Sequence, residues 1–300
     1  MMSDSDVVFA DRQYGKNYVR LLHVRREGRR HYIREIEVNS RLKLNNVKDF
    51  VTGDNSDIIA TDTQKNTVYI LAKQHGVGTI EEFAMVITNH FLKTYPWVER
   101  ARVEIEERPW KRFNRGGREH NHAFVEGGEG THFCTVVQNR NDKPKVSAGI
   151  KDLKVMKTTQ SAFVNFVNDE YRSLPDMDDR IFCTIVYTRW DYTTIEGLNF
   201  DRAWETVRDA VMEVFAGNPD TGIFSPSVQK TIYDFQKLAL SKVPQMEEVY
   251  VELPNVHAYE YDLGKFPKLR LKNDGEVFQP TDKPSGNIQN TLRRRVPAKL

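Results

Sequence analysis

TIEEFAMVITNHF, residues 79–91, is the stretch that decides the fold class of this 300-residue chain. Its apolar residues recur at helical spacing behind Thr79, a favourable N-cap, and two glutamates in the first turn. The residues of the apolar face are Ile80, Phe83, Ile87 and Phe91. The segment 98–109 then alternates polar and apolar residues, as a half-buried strand does. A helix followed by such a strand indicates an α+β fold.

Before this helix, the chain has the pattern of a hairpin. Tyr18 to Val24 and Tyr32 to Val38 alternate between two faces, and Gly28 supplies the turn between them. Thr67 to Ala72 is rich in β-branched and aromatic residues and is therefore predicted to form a third strand. The order strand, strand, strand, helix, strand is typical of an α+β domain with antiparallel pairing.

The second half of the chain has a pattern of predicted strands and helices similar to that of the first half. We predict a strand, a helix, a second helix and an alternating strand pair over Ile181 to Trp190, Trp204 to Phe215, Val228 to Leu240 and Val249 to Leu263. This repeated pattern predicts an internal duplication, with domains at residues 1–145 and 146–300. A single α+β domain is the alternative.

The composition of the chain argues against several classes of protein. An apolar fraction of 39% with 11% aromatics fits a folded protein, and a net charge of +2 creates no field that would attract nucleic acid or an acidic membrane. Cys134 and Cys183 are too few for a disulfide framework or a thiolate metal site. No apolar run is long enough to span a membrane. The terminal Ala298-Lys299-Leu300 is close to a peroxisomal address, although a plain basic tail is the alternative.

Short motifs add little chemistry on their own. His120 and His122 could face a metal ion, but no carboxylate completes the set, and a polar loop leading into a strand at Ala123 to Val125 is the expected structure. Gly127 to Gly130 lacks the Lys-Ser/Thr of a phosphate loop and is predicted to be a hairpin turn. The sequence also contains no nucleophile-elbow motif, so nothing specific in it indicates a hydrolase.

Polar residues instead recur at strand ends and helix starts, where each has an ordinary explanation as a turn, a cap or a solvated side chain. They are Tyr14-Gly15-Lys16, Thr61-Asp62, Arg180, Ser227-Val228-Gln229 and Pro254-Asn255-Val256-His257.

All of these residues except Arg180 lie in segments that closely resemble the signature segments of urate oxidases, the animal members in particular. The segments are Tyr14 to Lys16, Gly53 to Thr67, Gly149 to Phe163, Ser225 to Gln229 and Leu253 to His257. The similarity covers nearly the whole chain in unbroken order. Two positions depart from the pattern: Ala258 stands where relatives generally carry an aromatic residue, and Ala60 where animal relatives usually carry proline.

The resemblance implies two tandem tunnelling-fold domains, each an antiparallel four-stranded sheet with helices on one face. It implies a homotetramer around a central tunnel, with active sites at the subunit interfaces. One subunit would supply Phe163, Arg180, Val228, Gln229, Asn255 and His257. Its neighbour would supply Lys16, Thr61 and Asp62.

The implied reaction is the oxidation of urate by O2 and water to 5-hydroxyisourate and hydrogen peroxide, without metal or other cofactor, inside peroxisomes. Binding to a peroxisomal import receptor through the terminal tripeptide would bring the protein there. No nucleic acid or membrane partner is expected. The alternatives are an inactive purine-binding homologue and another tunnelling-fold enzyme that acts on a purine or pterin.

The residue types suit this chemistry. Arg180 and Gln229 can hydrogen-bond two edges of a planar purine anion, and Phe163 can stack on its face while Val228 adds apolar contact. Removal of a proton makes the purine a better electron donor to O2. The implied proton carriers are Lys16, acting as a base through the Thr61 hydroxyl, and His257. Asn255 would help to hold O2 and then water.

Overall fold

The structure is a computed structural model that describes residues 6–281 and 283–295. The chain divides into two compact units. Unit 1 runs to Gly127 and includes Thr131–Ala148, and unit 2 comprises Gly128–Gly130 and the chain from Gly149 onward. The strand β7 (Lys145–Lys157) begins in unit 1 and ends in unit 2. The division expected from the sequence, between residues 145 and 146, falls in this strand.

Unit 1 is built from a mainly antiparallel sheet and two long helices. Its elements are β1 (Tyr14–Glu27), β2 (Arg30–Leu44), α1 (Lys48–Val51), α2 (Thr61–His75), α3 (Ile80–Thr94), β3 (Val98–Glu107), β4 (Trp110–Arg115), β5 (Arg118–Glu126) and β6 (Thr131–Asn139). The strands pair antiparallel in the order β1-β2-β3-β6, and β4 and β5 form a separate hairpin.

The core of unit 1 is formed by residues that recur at every second position in its strands and at every third or fourth position in its helices. Alternate residues of β2, including Ile36, Val38 and Leu42, are buried, and α3 packs against β3 and β6 with Phe83 and Phe91 fully covered. At the start of α3, the Thr79 hydroxyl accepts the Glu82 amide while the Glu82 carboxylate accepts the Thr79 amide. The predicted β1–β2 hairpin, the helix α3 and the strand β3 are confirmed.

One predicted strand is wrong, because Thr67 to Ala72 lies in the middle of α2. The buried residues of α2 are Gln64, Thr67, Val68, Leu71 and Ala72. They recur at intervals of three and four, which gives a helical face, and packing along that face outweighs the modest strand preference of β-branched residues. The residue types suggested a strand, whereas the spacing indicated a helix.

The predicted polar loop at His120 and His122 is also wrong, because both residues lie inside β5. Gly116 and Gly117 both have positive φ and form the tight turn between β4 and β5. The exposed polar side chains of β5 suggested a loop, but a two-stranded hairpin can leave most of its surface in solvent.

Unit 2 repeats the plan of a sheet with two long helices. After the end of β7 its elements are β8 (Phe182–Tyr192), α4 (Phe200–Ala216), α5 (Val228–Lys242), β9 (Met246–Pro254), β10 (His257–Glu260), β11 (Phe278–Thr281) and β12 (Asn287–Arg293). The sheet has the order β7-β8-β9-β12, with β9 antiparallel to both β8 and β12. The helix α5 packs on β9 and β12 and against α4.

The strands predicted over Val249 to Leu263 are present but do not pair with each other. Whereas β9 belongs to the main sheet, β10 pairs with β11 in a separate two-stranded ribbon. Asn255 and Val256 lie between β9 and β10. Their amides donate to the carbonyls of Gly286 and Cys183, so the chain is fixed where it leaves the main sheet. The predicted helices of unit 2 are confirmed.

Within residues 6–281 and 283–295, the structure contains no helix that is both long and apolar enough to cross a membrane.

The capping box of α3 gives a direct test of this description of unit 1. Replacing Thr79 with alanine removes the hydroxyl that accepts the Glu82 amide, and we expect the free energy of unfolding to fall by about 1 kcal/mol. Thr94→Ala, at the exposed end of the same helix, is the matched control and should leave it nearly unchanged. Denaturant unfolding followed by circular dichroism measures both. Equal stability of the two variants would contradict the capping role.

Candidate active site

A cavity of about 700 Å³ opens in unit 2 and is bounded by several separate stretches of the chain. Its lining includes all six residues of unit 2 that the resemblance marked as functional. These are Phe163, Arg180, Val228, Gln229, Asn255 and His257. The structure therefore brings together side chains that are up to 94 positions apart in the sequence (257 − 163).

The start of α5 forms one wall of this cavity. Ser227 caps the helix by accepting the Lys230 amide, and Val228 and Gln229 are the first two helical residues. The first amides of a helix have no partner within the helix and carry a partial positive charge, so this wall favours an anion. Gln229 adds an amide side chain that can both donate and accept.

The loop before α5 is tied to the end of β7. The Ala162 amide donates to the Ser225 carbonyl, and the Ser225 amide donates to the Gln160 carbonyl. Lys157 donates to the Ile223 carbonyl at 2.8 Å and to the Ser225 hydroxyl at 2.7 Å. These bonds set the position of Val228 and Gln229 relative to the segment that carries Phe163.

Arg180 brings a positive charge to the cavity. Its Nε is buried and has no hydrogen-bond partner among the described residues. Burial lowers the pKa of the guanidinium from its ordinary value, and a buried charge of this kind is unfavourable until an anion pairs with it. The guanidinium carbon lies 5.5 Å from the centre of the Phe163 ring. The arrangement provides an unmatched fork of donors beside an aromatic face.

Asp179, the neighbour of Arg180, fixes the backbone at this point. Its carboxylate accepts hydrogen bonds from the Thr159 hydroxyl and from the Ser161 amide. Hydrogen bonds, of which the Thr159 bond is the strongest, lower the pKa of Asp179, so the carboxylate stays ionised. Asp179 thus orients Arg180 through the main chain.

Phe163 is held in place from both the backbone and the ring. It exchanges two backbone hydrogen bonds with Met177, and its ring stacks on Phe166 at a centroid distance of 4.4 Å. The guanidinium of Arg172 lies 5.5 Å from the Phe163 ring centre and also bonds the Phe166 carbonyl. A stacking ring that is fixed in this way loses little freedom when a planar ligand binds.

His257 and Asn255 reach the cavity from the break between β9 and β10. The His257 ring stacks on Tyr259 at 5.6 Å. Burial, and then the nearby charge of Arg180, lower the pKa of His257 from its ordinary value. The imidazole is therefore neutral near pH 7 and can accept a proton or pass one on.

The other three marked residues lie in unit 1. Thr61 and Asp62 are the first residues of α2, and the Asp62 carboxylate accepts hydrogen bonds from Lys65 at 2.6 Å and Asn66 at 3.0 Å. The hydrogen bond and the charge of Lys65 are the main causes that lower the pKa of Asp62, and the charge of Lys16 lowers it further. The ammonium of Lys16 is therefore near the start of α2. The nine marked residues form two groups, one in each unit.

Several residues of the cavity wall were not predicted from the sequence. They include Phe166, Leu174, Met177, Asp179 and Cys183. The position of Asp179 directly before Arg180 was the one usable signal, whereas the loop residues have no periodicity that could indicate a shared wall. Of the two departures from the family pattern, Ala258 lines the cavity, and Ala60 is the N-cap of α2 and forms no side-chain cap.

The histidines of β5 have a local role. His120 Nδ1 accepts the amides of His122 and Ala123, so this nitrogen is already engaged. Within the part of the chain that the structure describes, no group of three or more His, Cys, Asp or Glu side chains is arranged to hold a metal ion.

Comparison with known proteins agrees with this geometry. The uricase family model matches residues 12–137 and 146–289. The chain is 47% identical to rabbit (Oryctolagus cuniculus) uricase over 99% of its length and 98% of the relative. It is 48% identical to zebrafish (Danio rerio) uricase over 99% of each chain. The crystal structure of Arthrobacter globiformis uricase superposes with a TM-score of 0.87 at 34% identity, covering 96% of this chain and 95% of that one.

These matches confirm the resemblance seen in the sequence and the α+β tunnelling fold that it implied. The chain belongs to the uricase family.

Proposed function

We propose that this chain oxidises urate with O2 and water to 5-hydroxyisourate and hydrogen peroxide, and that the cavity of unit 2 holds the urate. Membership of the uricase family makes the chain an oxidoreductase. The observation that carries the proposal is the half-buried Arg180 side chain, whose buried Nε has no partner among the described residues. A planar purine anion supplies the acceptors that this fork of donors lacks.

Urate binding uses both edges and one face of the purine. Arg180 donates to two acceptors on one edge, and the Gln229 amide donates and accepts on the next. Phe163 stacks on the ring, a contact worth about 1–3 kcal/mol for a base on an aromatic side chain. The Val228 amide at the start of α5 adds a donor at the positive end of a helix dipole. Together these contacts fix the plane and the register of the substrate.

The catalytic step begins with the removal of a proton from urate. Lys16 is the base and acts through the Thr61 hydroxyl, with His257 as a further proton carrier. The resulting dianion transfers two electrons to O2, which takes up two protons and becomes hydrogen peroxide. Water then adds to the oxidised ring and gives 5-hydroxyisourate. Asn255 holds O2 and then this water by hydrogen bonds. Because urate itself supplies both electrons, the reaction needs no flavin or redox metal.

The proposed assembly is a homotetramer in which each cavity is completed by a neighbouring subunit. The six residues around the cavity come from unit 2 of one chain, and Lys16, Thr61 and Asp62 come from unit 1 of its neighbour. Their clustering into two groups, one in each unit, is consistent with this arrangement.

An oxygen-electrode assay tests the proposal as a whole. Purified protein that has been treated with a chelator and shows no flavin absorbance should consume O2 when urate is added, and should form one peroxide for each O2. Binding of urate without O2 uptake would instead indicate an inactive purine-binding homologue. Turnover of a purine or pterin without O2 would indicate a different reaction on the same fold. Either result contradicts the proposal.

Variants in the two groups of residues should affect different kinetic constants. Arg180→Gln removes the charged donors that are proposed to bind urate and should raise KM, with a loss in binding free energy of about 2–5 kcal/mol. Lys16→Met should lower kcat by about 10² to 10⁴ and largely spare substrate affinity. Steady-state kinetics at several urate concentrations separate the two effects. Near-normal turnover of the folded Lys16→Met variant would exclude Lys16 as the base.

We further propose that the protein works in peroxisomes and that an import receptor reads Ala298-Lys299-Leu300. This tripeptide lies outside the residues that the structure describes, so the proposal rests on its sequence. Deleting it should leave urate oxidation unchanged in vitro but move a fluorescent fusion from peroxisomes to the cytosol. Microscopy that shows the same distribution for both proteins would refute this proposal.

A further inference from the structure

We propose that Gln64 is a positioning residue for the reaction, because it joins Ser40, the residue of β2 that pairs with Lys16, to the loop that leads into Thr61. This inference rests on the roles proposed above for Lys16 and Thr61. It concerns hydrogen bonds within unit 1 only.

Gln64 has the burial and the contacts that this role requires. It lies one turn into α2 with an exposed fraction of 0%. Its Oε1 accepts the Ser40 hydroxyl at 2.8 Å, and its Nε2 donates to the Ile59 carbonyl at 3.2 Å. A buried amide with both ends engaged acts as a rigid link, since breaking either bond leaves a polar group unpaired in the core.

The Ser40 end of the link reaches Lys16. Ser40 is the partner of Lys16 in the β1–β2 ladder, so the two side chains lie on the same face of the sheet. A Cβ at Gly15 would lie 1.7 Å from the Ser40 carbonyl oxygen, which shows how closely the two backbones approach. The ladder shifts register directly after Lys16. The position of Lys16 therefore depends on that of Ser40.

The Ile59 end of the link reaches Thr61. Ile59 lies two residues before Thr61, and its amide donates to the Tyr14 hydroxyl at 3.0 Å while its carbonyl accepts from Gln64. Tyr14 in turn lies two residues before Lys16. Burial raises the pKa of Tyr14 to about 12, so its hydroxyl stays protonated at working pH. Four hydrogen-bonding residues, Tyr14, Ile59, Gln64 and Ser40, thus bracket both members of the proposed proton relay.

The start of α2 needs such support. Its N-cap is Ala60, which has no side chain able to cap the helix, so the usual fixation of a helix start is absent here. The Gln64–Ile59 hydrogen bond holds the residue just before the cap instead. A displacement of about 1 Å between reacting groups can lower a rate by about 10²-fold, so the link has kinetic consequences.

Gln64→Met tests the inference because methionine keeps the volume but forms neither hydrogen bond. The chain offers a matched control in Gln236, which is also fully buried. Its amide donates to the carbonyls of Val249 and Asn290 and accepts from the Asn290 side chain. Gln236→Met therefore removes a comparable set of hydrogen bonds that does not lead to Lys16 or Thr61.

For Gln64→Met we expect kcat to fall by about 10- to 100-fold with KM for urate nearly unchanged, because misplacement affects proton transfer rather than binding. The solvent deuterium isotope effect on kcat should rise as proton transfer becomes slower. Gln236→Met should keep the wild-type kcat and isotope effect, whatever its thermal stability. Tyr14→Phe removes the acceptor of the Ile59 amide and should act in the same direction as Gln64→Met.

A folded Gln64→Met protein with wild-type kcat would overturn the inference, as would an equal loss of kcat in Gln236→Met. If Gln64→Met does not fold, Tyr14→Phe decides by the same two readouts. These outcomes are distinct from failure of the proposed function, which would appear as wild-type protein that does not oxidise urate. They also differ from a wrong base, which Lys16→Met would reveal.

Discussion

The half-buried guanidinium of Arg180, with its buried and unpartnered Nε, is the charge around which the cavity of unit 2 is arranged. A charge in a partly dehydrated site is unfavourable unless anionic or hydrogen-bonding partners surround it. The neighbouring carboxylate of Asp179 bonds the Thr159 hydroxyl and the Ser161 amide, and Arg180 Nε has no partner among the described residues. The free energy of pairing this charge is therefore available to a ligand that brings its own acceptors.

The positive charge of Arg180 also acts on two neighbouring side chains. Its guanidinium carbon lies 5.5 Å from the centre of the Phe163 ring, and its charge adds to burial, the larger cause, in lowering the pKa of His257. The loops around it are fixed by backbone hydrogen bonds and by Lys157, which reaches the Ser225 hydroxyl. Such fixation matters because groups that are already in place lose little freedom when the substrate binds.

Local patterns predicted much of the fold but little of the site. The β1–β2 hairpin, the capped helix α3 and the apolar stripes of α4 and α5 follow from periodicity and capping, which are short-range properties. The residue types of Thr67 to Ala72 predict a strand, but packing makes the segment part of α2. The pairing of β10 with β11 and the cavity wall at Phe166 and Asp179 depend on contacts between distant segments. No short-range pattern encodes such contacts, and the site residues were recognised through family resemblance instead.

We propose that each active site combines the Arg180 cavity of one subunit with the Lys16 and Thr61 group of another. The most direct measurement is urate-dependent O2 uptake by doubly tagged tetramers that contain both Thr61→Ala and Arg180→Gln subunits, compared with each parent homotetramer. Activity should reappear in the mixed tetramers, because some sites then combine the two unmutated halves. Absence of recovery in verified mixed tetramers would contradict it and would mean that both residues act within one chain.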